Sequence, residues 1–335
     1  MIDYIRRPLR YLYNKLNLKH NDESKYNALI RKYHYNRDDS IVKKAGNRVI
    51  FMCDGELYHG GLTDRIRGAL TTYYLAKRFK MPFFINWISP FKLETYLEPN
   101  IYDWRISPEE IDYDIRISTP LVFHTFPPKR YWKRNLLSFY ILLQWLAKKG
   151  KDKHVYTNFY FPKYRFPILY KELFRPSNIL LEEINKHSVI LGKNYWSFSF
   201  RFCMLLGDFT DVATVVPEPL SPKESEELIY KNIKELQTLM KDLPEGYKCL
   251  VTSDSQMFLD KVATVDSRIY IVPGQISHID VEKSCDEAWL KVFVDQNLIM
   301  KADKVFLLKT GRMYKSGFAE YAALIGGKEF IYHDF

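Results

Sequence analysis

The chain has 335 residues, which is too long for one ordinary core, and 47% of them are hydrophobic, enough for two packed domains. The 50 basic and 40 acidic residues give a net charge of +10, compatible with nucleic acid, anionic lipid or phosphorylated substrates, and charge alone selects none of them. The four cysteines are too widely spaced for a zinc or disulfide framework, which favours a reducing, cytoplasmic compartment. No apolar signal-peptide core opens the chain, and its most apolar run, Leu136 to Ala147, is too short to span a membrane.

Residues 1–47 are polar and basic with interleaved tyrosines, and they are interpreted as a tail or helical arm. From Val49 the pattern becomes an apolar strand, a glycine-rich turn and a helix with apolar residues on one face. Further strands are predicted at Pro82 to Asn86 and at Leu121 to Phe126, whereas Pro127 to Tyr170 reads as irregular with one or two helices. These features define a first domain over residues 48–190.

Residues 191–335 alternate strands and helices more clearly. Ser177 and Ser221 are predicted helix caps, and Ser221 is followed by Pro222 and by Glu224, which completes a capping box. Such alternation is typical of a doubly wound parallel sheet. The predicted fold class is therefore α/β, with two Rossmann-like domains facing a cleft.

Ligands of open parallel sheets bind at the carboxyl ends of the strands, so the residues that follow strands are the candidates. Gly60 and Gly61 stand between the first strand and its helix, where they would let a ligand approach the helix amides; a plain tight turn is an equal alternative. Arg65 could support negative charge there, and Asp64 could orient the arginine or an acceptor; simple solvation and helix-dipole pairing are the alternatives.

Arg201 ends an aromatic strand, where its planar guanidinium favours a phosphate partner. An internal ion pair, for example with Asp208, is the competing interpretation. Thr252, Ser253 and Asp254 end another strand and suit ribose or base recognition, although capping of the next helix by Ser253 or Asp254 explains them too. Ser316 and Gly317 begin a later helix in a position suited to phosphate.

Several of these stretches resemble motifs of the fucosyltransferase superfamily of inverting glycosyltransferases. The run GGLTDRIRG is similar to the family's glycine-rich strand-to-helix signature, and the Ser-Phe-Arg that ends at Arg201, with Gly207-Asp208-Phe209, is similar to the two ends of its H-x-R-R-(G/T)-D motif. Thr252-Ser253-Asp254 and Ser316-Gly317-Phe318-Ala319 are similar to two later motifs. Ser199 replaces the motif histidine, and the second arginine is missing.

The resemblance implies a GT-B fold, no cofactor and no metal, and a nucleotide-sugar donor, GDP-fucose, in the interdomain cleft. It implies that Arg201 holds the pyrophosphate, that Ser316, Gly317 and Phe318 lie near the phosphates, and that Asp254 lies near the nucleoside. Transfer also needs an acceptor hydroxyl to lose its proton, for which Asp208 and Asp64 are the candidate bases. The acceptor is expected to be a glycan or a lipid-linked glycan.

Two alternatives stay open: the same fold with another nucleotide sugar, and a non-catalytic homologue that binds glycan or membrane, which the missing histidine and arginine favour. Nucleic acid is the least expected partner, because the basic residues are spread along the chain and no recognition motif appears. The basic arm predicts peripheral attachment to the anionic inner face of a membrane, with solvated charges on a packed arm as the alternative.

Overall fold

The computed structural model describes residues 28–29, 31–33, 46–123, 150–159, 163–209, 218–276, 279 and 285–335. The apolar run from Leu136 to Ala147 lies outside these residues. Most of the predicted membrane-binding arm lies outside them as well. Within the described part of the chain, no helix is both long and apolar enough to cross a membrane.

The helices and strands of the described residues follow one another in this chain order: β1 Val49–Cys53, α1 Leu62–Arg78, β2 Phe83–Trp87, β3 Leu97–Pro99, β4 Ser118–Phe123, β5 Asp152–Thr157, α2 Phe166–Leu173, β6 Phe174–Pro176, α3 Asn178–Leu191, β7 Tyr195–Phe200, α4 Pro222–Leu239, β8 Lys248–Ser253, α5 Gln256–Val262, β9 Ile269–Tyr270, α6 Asp286–Lys301, β10 Lys304–Lys309, α7 Phe318–Gly326 and β11 Glu329–Asp334. Short 3₁₀ helices cover Leu93–Thr95, Pro108–Glu110, Lys163–Arg165 and Met240–Asp242.

The chain divides into two compact units. The first contains Met1–His59, Asp64–Phe91 and Asp103–Lys163, and the second contains Gly60–Thr63, Lys92–Tyr102 and Tyr164–Phe335. The sequence placed residues 164–190 in the first domain, whereas in the structure α2 and α3 pack with the second unit, against α7 and α6 respectively.

The first unit is built on a parallel four-stranded sheet in the order β2-β1-β5-β4. All five residues of β1 are buried, as are all six of β5. The sequence pattern did not predict β5, because Asp152, Lys153 and His154 open it with three polar residues. Each is paired inside the unit: Asp152 accepts from Arg48, Lys153 donates to Asn47, and the His154 ring bonds to Tyr33.

Helix α1 carries the periodic apolar face that the sequence predicted, with Leu62, Ile66, Leu70 and Tyr73 all buried. Gly68 is required where this helix meets the sheet, because a Cβ at that position would overlap the carbonyl oxygen of Thr157 at the end of β5. The close approach therefore fixes how α1 packs beside the carboxyl end of β5.

The second unit contains a parallel five-stranded sheet in the order β11-β10-β7-β8-β9. Counted from β7 as the first strand, this is the 3-2-1-4-5 order of a Rossmann fold. Its helix caps agree with the sequence: Ser177 caps α3, and Ser221 forms a capping box with Glu224 ahead of α4, with Pro222 in the first turn. An aromatic core of Phe198, Phe200 and Phe202 fills the face of the sheet that α4 and α5 cover.

The predicted α/β class and the pair of Rossmann-like units are confirmed. All four cysteines are free thiols: Cys53, Cys203 and Cys249 are buried, and Cys285 is exposed.

Candidate functional site

The strand order of the second unit marks one position for a ligand. The connection from β7 leads through α4 to β8, and the connection from β10 leads through α7 to β11 on the opposite side. Because β7 and β10 are neighbours, their carboxyl ends flank the point where the winding reverses, which is where open α/β sheets bind ligands. Arg201 follows β7 directly, and Thr310 follows β10.

The side chain of Arg201 is held in place on several sides. Its Nη1 lies 3.3 Å from Oδ2 of Asp254, and its guanidinium carbon lies 4.7 Å from the ring centroid of Phe209. The backbone carbonyl of Arg201 accepts the amide of Tyr314 at 2.9 Å, which joins the turn after β7 to the loop after β10. The side chain stays 18% exposed, so a guanidinium already oriented by the protein still reaches solvent.

Asp254 fixes the turn that carries this arginine. The residue is 4% exposed, and its carboxylate accepts the backbone amides of Phe202 at 2.8 Å and Cys203 at 2.7 Å. Burial raises the pKa of Asp254, while Arg201 and the two amides act in the opposite direction. Cys203 and Met204 both adopt left-handed backbone angles, so this carboxylate stabilises a turn that their side chains do not favour.

The sequence suggested Asp208 as the ionic partner of Arg201, and the structure gives that position to Asp254. Asp208 instead accepts the hydroxyl of Ser255 and the amide of Met257, each at 2.8 Å, and so binds the first turn of α5. Capping of α5 is due to Ser255, whose side chain accepts the amide of Phe258.

The neighbouring hydroxyls are also engaged locally. Ser253 accepts the amide of Ser255 at 3.2 Å. Thr252 bonds to Ser199 at 2.8 Å, and both side chains are buried. Ser199 therefore belongs to a hydroxyl pair between β7 and β8.

Ser316, Gly317 and Phe318 form the start of α7. Gly317 is the N-cap residue, and Ser316 accepts the amide of Phe318 at 3.1 Å. The helix follows β10, so its first turn lies beyond the same sheet edge as Arg201. The structure thus brings Arg201, Asp254 and the amides of α7 to one edge of one sheet.

The predicted residues near the two glycines lie at the carboxyl end of β1. Gly60 has a φ of +87°, which explains one glycine by turn geometry. Asp64 pairs with Arg67 at 2.5 Å. Arg65 is only 5% exposed; its Nη1 donates to the carbonyl of Ser89 at 2.8 Å and lies 2.6 Å from the sulfur of Cys53.

Arg67 donates to the carbonyl of Asn158 at 2.6 Å, beyond the end of β5. The arginines of α1 thereby tie the helix to the loops that follow β2 and β5. These bonds give Arg65 and Arg67 structural contacts, and a role for Arg65 or Asp64 toward a ligand stays a prediction.

Sequence reasoning missed one carboxylate at this edge. Asp54 follows β1 immediately, and its Oδ2 accepts the hydroxyls of Tyr156 at 3.0 Å and Tyr113 at 3.3 Å. Burial raises its pKa. The rule that selected Arg201, a polar residue directly after an apolar strand, would have selected Asp54 as well.

Within the described residues, no group of three or more His, Cys, Asp or Glu side chains is arranged to hold a metal ion.

Comparison with known proteins identifies the fold. The chain is similar to the fucosyltransferase NodZ from Bradyrhizobium, with 14% identity, a TM-score of 0.54, and coverage of 85% of this chain and 94% of that one. It is similar to NodZ α-1,6-fucosyltransferase soaked with GDP-fucose, with a TM-score of 0.53 and 14% identity over 83% of this chain and 92% of the other. It is also similar to a mutant of Arabidopsis thaliana FUT1 in complex with GDP, with 12% identity, a TM-score of 0.52, and coverage of 97% and 78%. The protein thus has the fold of the GT-B fucosyltransferases, which confirms the predicted resemblance at the level of fold.

No protein-family model matches the chain. Argininosuccinate lyase of Streptococcus pneumoniae strain JJA is 27% identical over 96 residues, which are 27% of this chain and 21% of that protein. The chain thus matches about a fifth of the length of this relative, a local similarity that shows no shared family.

Proposed function

We propose that this protein is a glycosyltransferase that moves fucose from GDP-fucose to a hydroxyl of a glycan, with inversion and without a metal ion. The observation that carries the proposal is the oriented Arg201 at the point where the second sheet reverses its winding. The fold adds support, because proteins of this fold include fucosyltransferases studied with GDP and with GDP-fucose.

The chemistry follows from what a diphosphate leaving group needs. As the bond between the sugar and the phosphate breaks, negative charge grows on the diphosphate, and a positioned cation or helix amide stabilises that charge. Arg201 offers a planar pair of donors that Asp254 holds in orientation, and the first turn of α7 offers backbone amides. The acceptor hydroxyl attacks from the opposite side in a single displacement, which inverts the anomeric carbon. GDP leaves with the electron pair of the broken bond, and the hydroxyl proton passes to a carboxylate base, for which Asp208 and Asp64 are the candidates.

A second candidate function is a homologue that binds the donor or a glycan without catalysis. The specific observation in its favour is Ser199, which stands at the motif histidine position and is bonded to Thr252 rather than presented to a ligand. A protein of this kind would bind GDP and leave GDP-fucose intact.

One experiment separates these candidates. The melting temperature and calorimetric affinity of the full chain are measured with GDP, UDP, CDP and ADP, all in EDTA, and GDP release from GDP-fucose is followed with a pool of glycans. We expect GDP to bind preferentially, with about 2.7 kcal/mol of added stability at 100 times its Kd, and EDTA to leave turnover unchanged. Preferential binding of another nucleotide contradicts the GDP assignment, binding without turnover favours the second candidate, and turnover restored only by Mg²⁺ or Mn²⁺ contradicts the metal-free mechanism.

The proposal extends to location. We propose that the protein works in the cytoplasm and that residues 1–44 attach it to an anionic membrane surface that presents a lipid-linked acceptor. Each basic residue near such a surface contributes about 1 kcal/mol, and salt screens the attraction. Co-sedimentation with phosphatidylserine vesicles should fall on deletion of these residues and at high salt; equal binding with and without them contradicts the proposal.

A further inference from the structure

The carboxyl edge of the first sheet carries a carboxylate with a built polar surround. Asp54 is partly buried directly after β1, and three donors meet it: Tyr156, Tyr113 and the backbone amide of Glu56, at 3.0, 3.3 and 3.2 Å. An ionised carboxylate has about four lone-pair sites for hydrogen bonds. Three of those sites are used by the protein, which leaves capacity for one further donor.

Behind Asp54 a line of polar side chains runs into the core. The Tyr33 hydroxyl lies 2.6 Å from Nδ1 of His154, and Tyr33 and Tyr156 interact electrostatically. All three side chains are almost completely buried. A core built only for stability could place apolar side chains here, since buried polar groups add stability only when every bond is made.

Burial keeps the members of this line neutral. Burial lowers the pKa of His154 to about 3, so its ring is neutral, and burial raises the pKa values of Tyr33 and Tyr156, so both keep their protons. Nε2 of His154 has no hydrogen-bond partner in the described structure. Neutral Tyr156 donates to Asp54, and behind it Tyr33 and the neutral His154 ring share one hydrogen bond.

The charge and polarity around Asp54 favour a neutral polyhydroxyl ligand over a phosphate. A carboxylate surrounded by tyrosine hydroxyls repels phosphate and accepts hydrogen bonds from neutral hydroxyls. Aromatic surface lies beside it in Tyr113, with the ammonium of Lys32 4.3 Å from its ring centroid and 2.6 Å from Glu56 on the other side. A carboxylate next to an aromatic ring suits a polyhydroxyl ligand.

We propose that Asp54 is the hydroxyl-binding group of a saccharide site on the first unit, oriented by the Tyr156–Tyr33–His154 line. Tyr156 and Tyr113 hold one carboxylate oxygen, the Glu56 amide holds the other, and a sugar hydroxyl donates to the remaining site. The inference rests on the proposed function in that the bound saccharide is the acceptor, but it assigns a site of its own that does not depend on the donor.

The test measures saccharide binding directly. Saturation-transfer NMR is recorded on the full chain, with and without GDP, against methyl glycosides of glucose, galactose, mannose, fucose and N-acetylglucosamine. The variants are Asp54→Asn, Tyr113→Phe and, as a control, Asp103→Asn, an exposed carboxylate of the same unit that pairs with Arg105. Melting temperature and GDP affinity are measured for each protein in parallel.

We expect at least one glycoside to bind the wild type, its affinity to fall more than tenfold in Asp54→Asn and about threefold in Tyr113→Phe, and Asp103→Asn to match the wild type. If Asp54→Asn fails to fold, the Tyr113→Phe result decides. Binding unchanged in the folded variants, or no glycoside bound by the wild type, overturns the inference. Asp54-dependent glycoside binding in a protein that does not bind GDP would preserve this site and refute the proposed donor.

Discussion

The central strands of the two sheets end in opposite charges. After β1, the acidic Asp54 receives tyrosine hydroxyls, while the nearby arginines Arg65 and Arg67 donate to backbone carbonyls. After β7, the cationic Arg201 is oriented by a buried aspartate and remains 18% exposed. In the first unit, Arg65 bonds to the backbone and the Asp54 carboxylate lies at the carboxyl edge of the sheet. In the second unit, the Asp254 carboxylate bonds to the backbone and Arg201 lies at the carboxyl edge of the sheet.

This exchange of roles teaches how to interpret charged residues near strand ends. Arg201 follows an apolar strand directly, and Arg65 lies in the helix that follows another one. The sequence offered both as groups that could meet negative charge. Their burial and partners differ, because Arg65 meets Ser89 and Cys53 whereas Arg201 meets a carboxylate that also holds its own turn. The partner, rather than the residue type, decides whether a guanidinium can serve a ligand.

Loss of the supporting carboxylate should have the largest effect. Asp254→Ala leaves the amides of Phe202 and Cys203 and the guanidinium of Arg201 without their buried acceptor, so we expect the free energy of unfolding to fall by about 3–5 kcal/mol. Urea denaturation checks the loss. Asp266→Ala is the matched control, since Asp266 pairs with the more exposed Arg268 and should cost less than about 1 kcal/mol. Equal losses in the two variants would show that Asp254 does not support the turn.

Both units should be sensitive to one added methyl group on a helix. A Cβ at Gly68 would overlap the Thr157 carbonyl in the first unit, and a Cβ at Gly326 would overlap the Met300 carbonyl in the second. We expect Gly68→Ala and Gly326→Ala each to destabilise by about 3 kcal/mol, seen as a lower melting temperature. Gly317→Ala is the control, because its Cβ would meet Tyr321 at an ordinary 3.4 Å. A melting temperature unchanged in Gly68→Ala would mean that α1 can move away from β5.

Much of the second unit could be predicted because its local patterns and its tertiary structure agree. Ser221, Pro222 and Glu224 predict the start of α4, and the apolar strands alternate with helices in a regular way. In the first unit, the inner strand β5 is not recognisable from the sequence, because it begins with the polar residues Asp152, Lys153 and His154. Those residues are buried only because Arg48, Asn47 and Tyr33 satisfy them, and partners so distant in sequence cannot be inferred from local pattern.

The candidate site was likewise predictable only in part. The position of Arg201 at a strand end was predictable, because apolar strands are visible in sequence. The role of Asp254 was not, because it depends on a turn in which Cys203 and Met204 take left-handed angles without a glycine to indicate it. Asp54 could have been selected from its position after β1, but its two tyrosine partners, Tyr113 and Tyr156, come from two segments distant in sequence.

Arginine-to-lysine substitutions should distinguish the two edges. Arg201→Lys keeps the charge and loses the two-pronged donor geometry, so we expect GDP affinity to fall by about 1.5–3 kcal/mol while the melting temperature is kept. If Arg65 serves only the backbone it bonds to, Arg65→Lys should leave GDP affinity unchanged and lower the melting temperature, because Ser89 and Cys53 lose a buried donor. A fall in GDP affinity would instead support the predicted ligand role of Arg65. Calorimetry and thermal denaturation of both variants measure this contrast. If Arg65→Lys weakens GDP and Arg201→Lys does not, the assignment of the two edges is reversed.

The smallest expected effect tests the neutral polar line of the first unit through pH. Burial, with Arg48 and Lys32 adding to it and Asp152 opposing it, lowers the pKa of His154 from 6.5 to about 3. Between about pH 3 and pH 6.5, His154 is protonated in the unfolded chain but stays neutral in the folded chain. Its contribution to the free energy of unfolding is therefore present above pH 6.5 and is lost as the pH falls, with a limiting slope of about 1.4 kcal/mol per pH unit. His154→Gln removes this titration. The difference in unfolding free energy between wild type and variant should therefore shrink by about 1 kcal/mol from pH 6.5 to 5.5, because the unfolded histidine is only half protonated at pH 6.5, and urea denaturation at each pH measures this change. A constant difference would mean that His154 takes up its proton in the folded protein too, and that the line to Asp54 begins from a charged rather than a neutral ring.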